Sequence, residues 1–212
     1  MATYLDRILE RHREVAAGDT RPLDALIDEA QALPPTRGFR AALAAEGAER
    51  LAVISEIKRR SPSKGDLNAG LDPVTLAQAY AAGGASCLSV LTDVEFFGGS
   101  VADLQAARSA CSLPVLRKDF TVSPYDVVDA QLMGADCVLL IAAALEPCKL
   151  GDYHALATEL GLDVLVEIHD EHELESALAA DATLIGVNQR DLVTFQVDHA
   201  RAVRMAGVIP DH

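Results

Sequence analysis

Six short apolar runs, each rich in valine, isoleucine and leucine, alternate along the chain with helix-forming stretches. Near-continuous apolar strands that alternate with amphipathic helices are typical of a parallel sheet with helices packed outside it. The sequence therefore predicts an α/β fold. The predicted strands are "LAVISEIK" (51–58), "CLSVLT" (87–92), "PVLRKDF" (114–120), "DCVLLIAAA" (136–144), "LDVLVEIH" (162–169) and "ATLIGVN" (182–188).

The stretches between these runs carry helix-start signals. Asp72 and Ser123 each precede a proline, and Ser100 follows two glycines, as is common at helix N-termini. A repeated βα unit fits an eightfold barrel as well as an open doubly wound sheet. No GxGxxG follows the first strand, which disfavours the dinucleotide-binding form of the open sheet. The predicted helices cover 72–84, 100–111, 123–135, 146–161 and 170–180.

The length of 212 residues predicts a single domain spanning 1–212. Residues 1–50 precede the first predicted strand, and apolar residues within them recur at helical spacing, as at Leu5, Ile8 and Leu9. We therefore expect a helical N-terminal extension over 1–50, followed by βα units 1–6 over 51–212.

The charge balance excludes some classes of partner. The chain has 18 basic and 32 acidic residues, a net charge of −14. Binding to nucleic acid or to an anionic membrane surface requires a basic footprint, so we expect neither. A small anion is still compatible with the sequence, because Lys58, Arg59, Arg60 and Lys64 form a local cationic cluster.

The cysteines and the N-terminus point to a cytoplasmic protein. The four cysteines are widely spaced and lack metal-ligand spacing, and Cys87 and Cys137 open apolar runs where a buried, inert thiol is expected. The N-terminus has no apolar signal-peptide core, and no run approaches the ~20 residues of a membrane span. Nothing in the sequence suggests a metal or redox cofactor.

Polar residues recur at the carboxyl ends of the predicted strands. In a (β/α)₈ barrel, inward residues of alternate strands form layers and the site lies at the C-terminal mouth. Lys58, Lys118 and Glu167 would then meet in one layer, which suits general acid–base chemistry, and burial would raise the pKa of the glutamate. For each of these strand-end residues, the alternative to a catalytic role is an ordinary ion pair. The residues are Glu56 and Lys58 in the first run, Lys118 in the third, Glu167 in the fifth, and Asn188 and Arg190 at the sixth.

Two predicted loops also suit a ligand. "RRSPSKG" (59–65) resembles an anion-binding loop, although a solvated loop explains it equally well. "EFFGGS" (95–100) places two phenylalanines where an aromatic ligand could pack. The alternative for that pair is a hydrophobic contact with the next helix.

Four motifs together resemble the indole-3-glycerol phosphate synthase family of tryptophan biosynthesis. They are "SEIKRRSPSKG", "PVLRKDF", "VLVEIHDEHELESAL" and "GVNQRDL". The likeness covers nearly the whole chain and implies a (β/α)₈ TIM barrel with an N-terminal helical extension. It also implies a lyase that needs no cofactor. Such a lyase converts 1-(2-carboxyphenylamino)-1-deoxyribulose 5-phosphate, a small anionic phosphate-bearing aromatic substrate, to indole-3-glycerol phosphate, carbon dioxide and water.

The resemblance implies roles for the charged residues. Lys118 resembles the general acid for ring closure, and Lys58 resembles the lysine that holds the substrate carboxylate and can transfer protons. Glu167 resembles the carboxylate of the later proton transfers, and Glu56 resembles the one that supports the site electrostatically.

The resemblance also implies how substrate is held. Asn188 and Arg190 would position it, Ser61 would help to bind its phosphate, and Phe97 and Phe120 would pack on its aromatic ring.

The number of units departs from the family pattern. At about 27 residues a unit, eight units and the extension would need about 266 residues. We therefore expect a barrel truncated after the sixth βα unit, or one whose remainder lies on another polypeptide, with open edges that allow association. Two alternatives to an active lyase stay open: a related phosphate-binding barrel isomerase, and a non-catalytic fragment that needs a C-terminal complement.

Overall fold

The computed structural model describes residues 3–48, 50–62, 64–191 and 196–210. Its centre is a curled sheet of six parallel strands. Each strand lies inside one of the predicted apolar runs, so the predicted α/β class is confirmed. The strands are β1 (Ile54–Ile57), β2 (Cys87–Leu91), β3 (Val115–Lys118), β4 (Cys137–Ile141), β5 (Asp163–Ile168) and β6 (Ile185–Val187).

The strand order distinguishes a barrel from a doubly wound sheet. Each strand pairs with the next one along the chain, from β1 to β6 without reversal. A doubly wound sheet reverses its order at a switch point, where its ligand binds. The uninterrupted order is that of a (β/α)₈ barrel, of which the described residues form six strands.

Helices follow the strands as predicted. The side chain of Asp72 accepts a hydrogen bond from the N–H of Thr75, and Ser100 and Ser123 cap their helices in the same way. These bonds satisfy backbone donors that a helix start would otherwise leave unpaired. The helices in the described ranges are α1 (Tyr4–Ala17), α2 (Leu23–Gln31), α3 (Phe39–Gly47), α4 (Pro73–Ala82), α5 (Val101–Ala110), α6 (Pro124–Leu132), α7 (Pro147–Glu159), α8 (Glu171–Ala179) and α9 (Arg201–Ala206).

The sheet separates two apolar layers, because successive strand residues point to opposite faces. Leu88 and Val90 belong to the layer beneath the outer helices. Cys87, Cys137 and Leu139 belong to the inner layer. The two cysteines are fully buried, as predicted. Burial raises the pKa of the Cys87 thiol to about 12, so this thiol stays protonated and unreactive.

The helices before β1 cover both ends of the curled sheet. Phe39 of α3 is completely buried in the inner layer, and its carbonyl oxygen lies 3.6 Å from Sγ of Cys87, the first residue of β2. At the opposite end, His12 of α1 contacts Asp93, which follows β2. The N-terminal segment thus packs over the amino ends and the carboxyl ends of the strands.

The strands β1 and β6 form the edges of the sheet: within the described residues, β1 pairs only with β2 and β6 only with β5. Apolar side chains near β1 are accordingly exposed, including Leu51 and Val53. A short antiparallel hairpin, which the sequence did not predict, pairs Arg60–Ser61 with Gly65–Asp66. None of the described helices has the length and apolar character needed to cross a bilayer.

Candidate active site

A cavity of about 670 Å³ lies at the carboxyl ends of the strands. Its wall combines strand-end residues with the loops after β1 and β2 and with α1, which contributes Tyr4, Leu5 and Ile8. Every residue predicted for the site lines this cavity. These are Glu56, Lys58, Ser61, Phe97, Lys118, Phe120, Glu167, Asn188 and Arg190.

Lys118, Glu167 and Asn188 form a connected polar array. Nζ of Lys118 lies 3.0 Å from Oε2 of Glu167, and Nδ2 of Asn188 donates to Oε1 of the same carboxylate over 2.9 Å. The side chains of Lys118 and Glu167 are 26% and 13% exposed. Each carboxylate oxygen accepts one of these bonds and keeps a further acceptor position, and the ammonium group likewise keeps donor positions.

The pKa of Glu167 is lowered, so the expectation of a raised value was wrong. Burial raises this pKa, but the charge of Lys118, the hydrogen bonds from Asn188 and Lys118, and the nearby His169 together outweigh it. Sequence reasoning considered burial without the ion pair. Glu167 is consequently a carboxylate near neutral pH, able to accept a proton.

Glu56 and Lys58 form a second ion pair in the same cavity, between Oε1 and Nζ. The two residues lie two positions apart at the end of β1, so they leave the same face of the strand. Their side chains stay 34% and 28% exposed. Pairing at the open mouth removes the cost of burying either charge alone.

Two arginines of the cationic cluster serve the architecture of the loops. The guanidinium of Arg59 bonds to the carboxylate of Asp103 at 2.7 and 3.2 Å, and also to the carbonyl oxygen of Leu71. Arg60 donates to the carbonyl oxygens of Val94 and Glu95. The predicted four-cation cluster is therefore divided: Lys58 and Lys64 line the cavity, but Arg59 and Arg60 do not.

Two phenylalanine rings form one wall of the cavity. The rings of Phe97 and Phe120 are 6.2 Å apart at an angle of 41°. The chain reaches Phe97 through a tight turn that needs the glycines after it: Gly98 has φ +65°, and a Cβ on Gly99 would lie 2.1 Å from the carbonyl oxygen of Leu91. The motif "EFFGGS" thus uses its glycines to set the position of the aromatic wall.

Sequence reasoning missed three residues next to this wall: Asp93 and Asp119, which also line the cavity, and His12, which contacts them. The side-chain nitrogen and oxygen atoms with which they could coordinate a metal ion lie within 4.8 Å of one another. Asp93 and Asp119 follow β2 and β3, so the rule that located Lys118 could have found them. His12 carried no such signal, because it lies on a helix far away in sequence.

Comparison with known proteins places the chain in a family. The sequence matches the family described as "Indole-3-glycerol phosphate synthase" over residues 5–212. The chain belongs to the indole-3-glycerol phosphate synthase family. A curated relative, the indole-3-glycerol phosphate synthase of Bordetella pertussis (strain Tohama I), is 52% identical over 213 residues, covering 99% of this chain and 81% of the relative.

Membership in this family confirms the resemblance that the four motifs indicated. The chain has indole-3-glycerol phosphate synthase function, which is a decarboxylating ring closure by a lyase of tryptophan biosynthesis. The family acts on a phosphate-bearing aromatic substrate.

Solved structures support the fold. The carboxyl transferase domain of Rhizobium etli pyruvate carboxylase, determined with 3-hydroxypyruvate, matches with a TM-score of 0.50 and 14% identity, over 75% of this chain and 30% of that one. The complete multifunctional enzyme matches with a TM-score of 0.50 and 15% identity over 75% of this chain. The chain spans less than a third of either structure, and at such identities only the fold is shared.

Proposed function

We propose that the cavity binds 1-(2-carboxyphenylamino)-1-deoxyribulose 5-phosphate and that the residues predicted from the sequence carry out its conversion. The observation that supports this most strongly is the array of Lys118, Glu167 and Asn188 in one cavity with the Glu56–Lys58 pair. Two ammonium groups and two carboxylates supply both acids and bases where water is partly excluded.

Lys118 is the proposed general acid of ring closure. The aromatic carbon that bears the carboxylate attacks the ketone carbon of the sugar chain, and the ketone oxygen takes a proton to become a hydroxyl group. An ammonium group held in place by Glu167 at 3.0 Å can stabilise the charge that develops on that oxygen. Such preorganised charge requires no reorganisation during the reaction.

Loss of carbon dioxide and water completes the proposed sequence. The bond to the carboxylate breaks, and its electron pair restores the aromatic ring. The hydroxyl group then leaves as water, while a proton is removed from the neighbouring methylene carbon. Glu167 is the proposed acceptor of that proton, because its lowered pKa keeps it ionised.

The remaining cavity residues hold the substrate in this proposal. Lys58, kept in place by Glu56, binds the carboxylate, and Ser61 contributes to the phosphate site. Phe97 and Phe120 offer two ring faces to the aromatic group.

Asn188 and Arg190 complete the proposed binding site. The backbone N–H of Arg190 donates to Oδ1 of Asn188 over 3.0 Å. This bond orients the amide so that its Nδ2 meets Glu167.

We expect the chain to act in the cytoplasm, without nucleic acid, membrane or cofactor.

The edges at β1 and β6 leave backbone groups that could pair with another polypeptide. Analytical ultracentrifugation over a range of concentrations tests association, and a monomer at all concentrations would contradict it.

The variant Lys118→Ala tests the assignment. We expect kcat to fall at least ~10²-fold, the lower range for loss of a general acid, measured by the fluorescence of indole-3-glycerol phosphate. Lys149→Ala is the matched control, because Lys149 is exposed on α7 and pairs weakly with Asp152 at 3.8 Å. Near-normal turnover by folded Lys118→Ala would remove Lys118 from the role, and no product from the folded parent chain would contradict the proposal.

A further inference from the structure

His12 of α1 lies between two carboxylates at the ends of neighbouring strands. Its Nε2 atom is 3.0 Å from Oδ2 of Asp93 and 3.8 Å from Oδ1 of Asp119. The side chains of the three residues are only 17%, 4% and 5% exposed. A buried polar contact thereby ties α1 to the rim of the cavity.

Each of these carboxylates also holds the backbone of a phenylalanine that lines the cavity. Oδ1 of Asp93 accepts hydrogen bonds from the N–H groups of Phe96, at 2.6 Å, and Phe97, at 2.9 Å. Oδ1 of Asp119 accepts from the N–H of Phe120 at 2.9 Å. A single imidazole therefore connects to both halves of the aromatic wall.

The imidazole ring supports the same wall by packing. The ring of His12 lies 5.5 Å from that of Phe120, and Phe120 lies 6.2 Å from Phe97. The three rings form a row that begins on α1 and ends in the cavity. Movement of His12 would consequently loosen Phe120 first and Phe97 through it.

The surrounding charges favour a protonated imidazole. Asp93 and Asp119 face it from the ends of β2 and β3, and Asp126 acts on it from α6. Arg117 bonds to Asp119 at 3.2 Å and lies 3.8 Å from Asp126, so its charge offsets part of the charge of these two carboxylates. Burial lowers the pKa of His12, but the hydrogen bond to Asp93 and these carboxylates outweigh it and raise the pKa.

A divalent cation is the competing occupant of the same three side chains. A ligating Nε2 carries no proton, whereas at 3.0 Å from Oδ2 of Asp93 it is placed to donate one. The guanidinium of Arg117 already bonds to Asp119 and would repel a metal ion. The geometry therefore fits an Nε2–H group that donates to Asp93, with Asp119 beside it.

We propose that protonated His12 is a positioning residue that clamps Asp93 and Asp119, so that Phe97 and Phe120 stay in place for the aromatic ring of the substrate. This inference rests on the proposed function, because it assigns the substrate's ring to that wall. His12 acts through its neighbours, so its loss affects KM more than kcat.

The clamp should weaken in alkaline solution. A group whose pKa is raised in the folded protein is fully protonated below its ordinary pKa, about 6.5 for histidine, and loses the proton as the pH rises through the raised value. Asp93 has a lowered pKa, because its hydrogen bonds from His12 and two N–H groups outweigh burial, so it stays charged over this range. We expect KM to rise with pH above the pKa of His12, while kcat follows other groups.

The test compares His12→Gln, His12→Lys and His172→Gln with the parent chain across this pH range. His172 is the matched control because its side chain is 89% exposed on α8. We expect His12→Gln to raise KM ~10-fold below the pKa with little change in kcat. His12→Lys should keep a low KM and lose the alkaline rise, since lysine holds its proton to about pH 10.

A binding measurement separates this inference from the proposed function. The probe is the substrate with its ketone reduced to an alcohol, titrated by calorimetry. If the parent chain binds this probe but forms no product from the unreduced substrate, the proposed function fails. The calorimetric comparison of variants then still decides the role of His12. If the parent chain does not bind the probe, both fail.

Three further results would overturn the inference. One is an unchanged KM and pH profile in His12→Gln. Another is failure of His12→Lys to restore binding, which would leave only a packing role. The third is stoichiometric binding of Zn²⁺ alone to the parent chain but not to His12→Gln.

Discussion

The two ends of the sheet use similar charges in different ways. At the amino ends of the strands, the carboxylate of Asp136 is completely buried, and it accepts bonds from the N–H groups of Arg37 and Val115 and from the guanidinium of Arg108, each at 2.8 Å. Its hydrogen-bonding positions are taken by the protein itself.

At the carboxyl ends, the charged pairs border a cavity and stay partly exposed. The Lys118–Glu167 and Glu56–Lys58 pairs leave donor and acceptor positions that a ligand can use. Barrels place stability at the amino face and chemistry at the carboxyl face. The difference between Asp136 and these pairs teaches that a buried charge indicates function when some of its hydrogen-bonding positions remain open to a ligand.

The largest effect is expected from Asp136→Ala. Removing one partner of a buried ion pair leaves Arg108 and two backbone donors unpaired, so the free energy of unfolding should fall by about 3–5 kcal/mol. Urea denaturation measures this loss, with the exposed Asp152→Ala as the control. Activity per folded molecule should not change. A lowered kcat in the folded fraction would break the contrast between the two ends.

Glu167→Gln should show the opposite pattern. The substitution keeps the shape but removes the charge that accepts a proton, so kcat should fall ~10²-fold. The free energy of unfolding should fall by less than in Asp136→Ala, because water in the cavity can solvate Lys118, whose side chain is 26% exposed. Glu175→Gln is the control, because Glu175 is 82% exposed. A large loss of stability with normal turnover would place Glu167 with Asp136 as a structural charge.

The pH dependence sharpens the assignment of Glu167. Because its pKa is lowered, Glu167 is fully charged above the ordinary glutamate pKa of about 4.3 and is protonated only as the pH falls through the lowered value. The acid limb of kcat/KM, which reports the free enzyme, should therefore lie below that ordinary value. Asn188→Leu removes a donor that lowers this pKa, so the limb should move to higher pH. A limb that stays in place in folded Asn188→Leu would contradict the assignment.

The smallest effect is expected from Arg59→Gln. Arg59 is a charged residue at the carboxyl end of the sheet, but its side chain bonds to other groups of the protein. It holds the loop after β1 through Asp103 and Leu71. We expect a loss of about 1 kcal/mol in the free energy of unfolding and a few-fold rise in KM. Chemical denaturation and steady-state kinetics test both, and a loss of kcat as large as that of Lys118→Ala would contradict this reading.

Much of the fold and the candidate site could be predicted from local pattern. Strand runs such as "CLSVLT" and helix caps such as Asp72 are encoded by residues close together in the chain. The position of Lys118 and Glu167 at one end of the sheet followed from strand parity, because parallel strands bring their carboxyl ends together.

Contacts between distant segments could not be predicted in the same way. Arg59 looked like part of an anion site until the structure showed Asp103 beside it. The pKa of Glu167 was expected to rise with burial, but its direction depends on the charge of Lys118, 49 residues away.

The sequence by itself determined the order of strands and helices, the family, and which polar residues end the strands. These properties depend on neighbouring residues or on shared motifs. Only the tertiary structure decided how those residues pair, which cations stay available to a ligand, and that His12 reaches Asp93 and Asp119. The physical reason is that hydrogen bonds and charges act over a few ångströms in space, and folding alone sets which distant residues come that close.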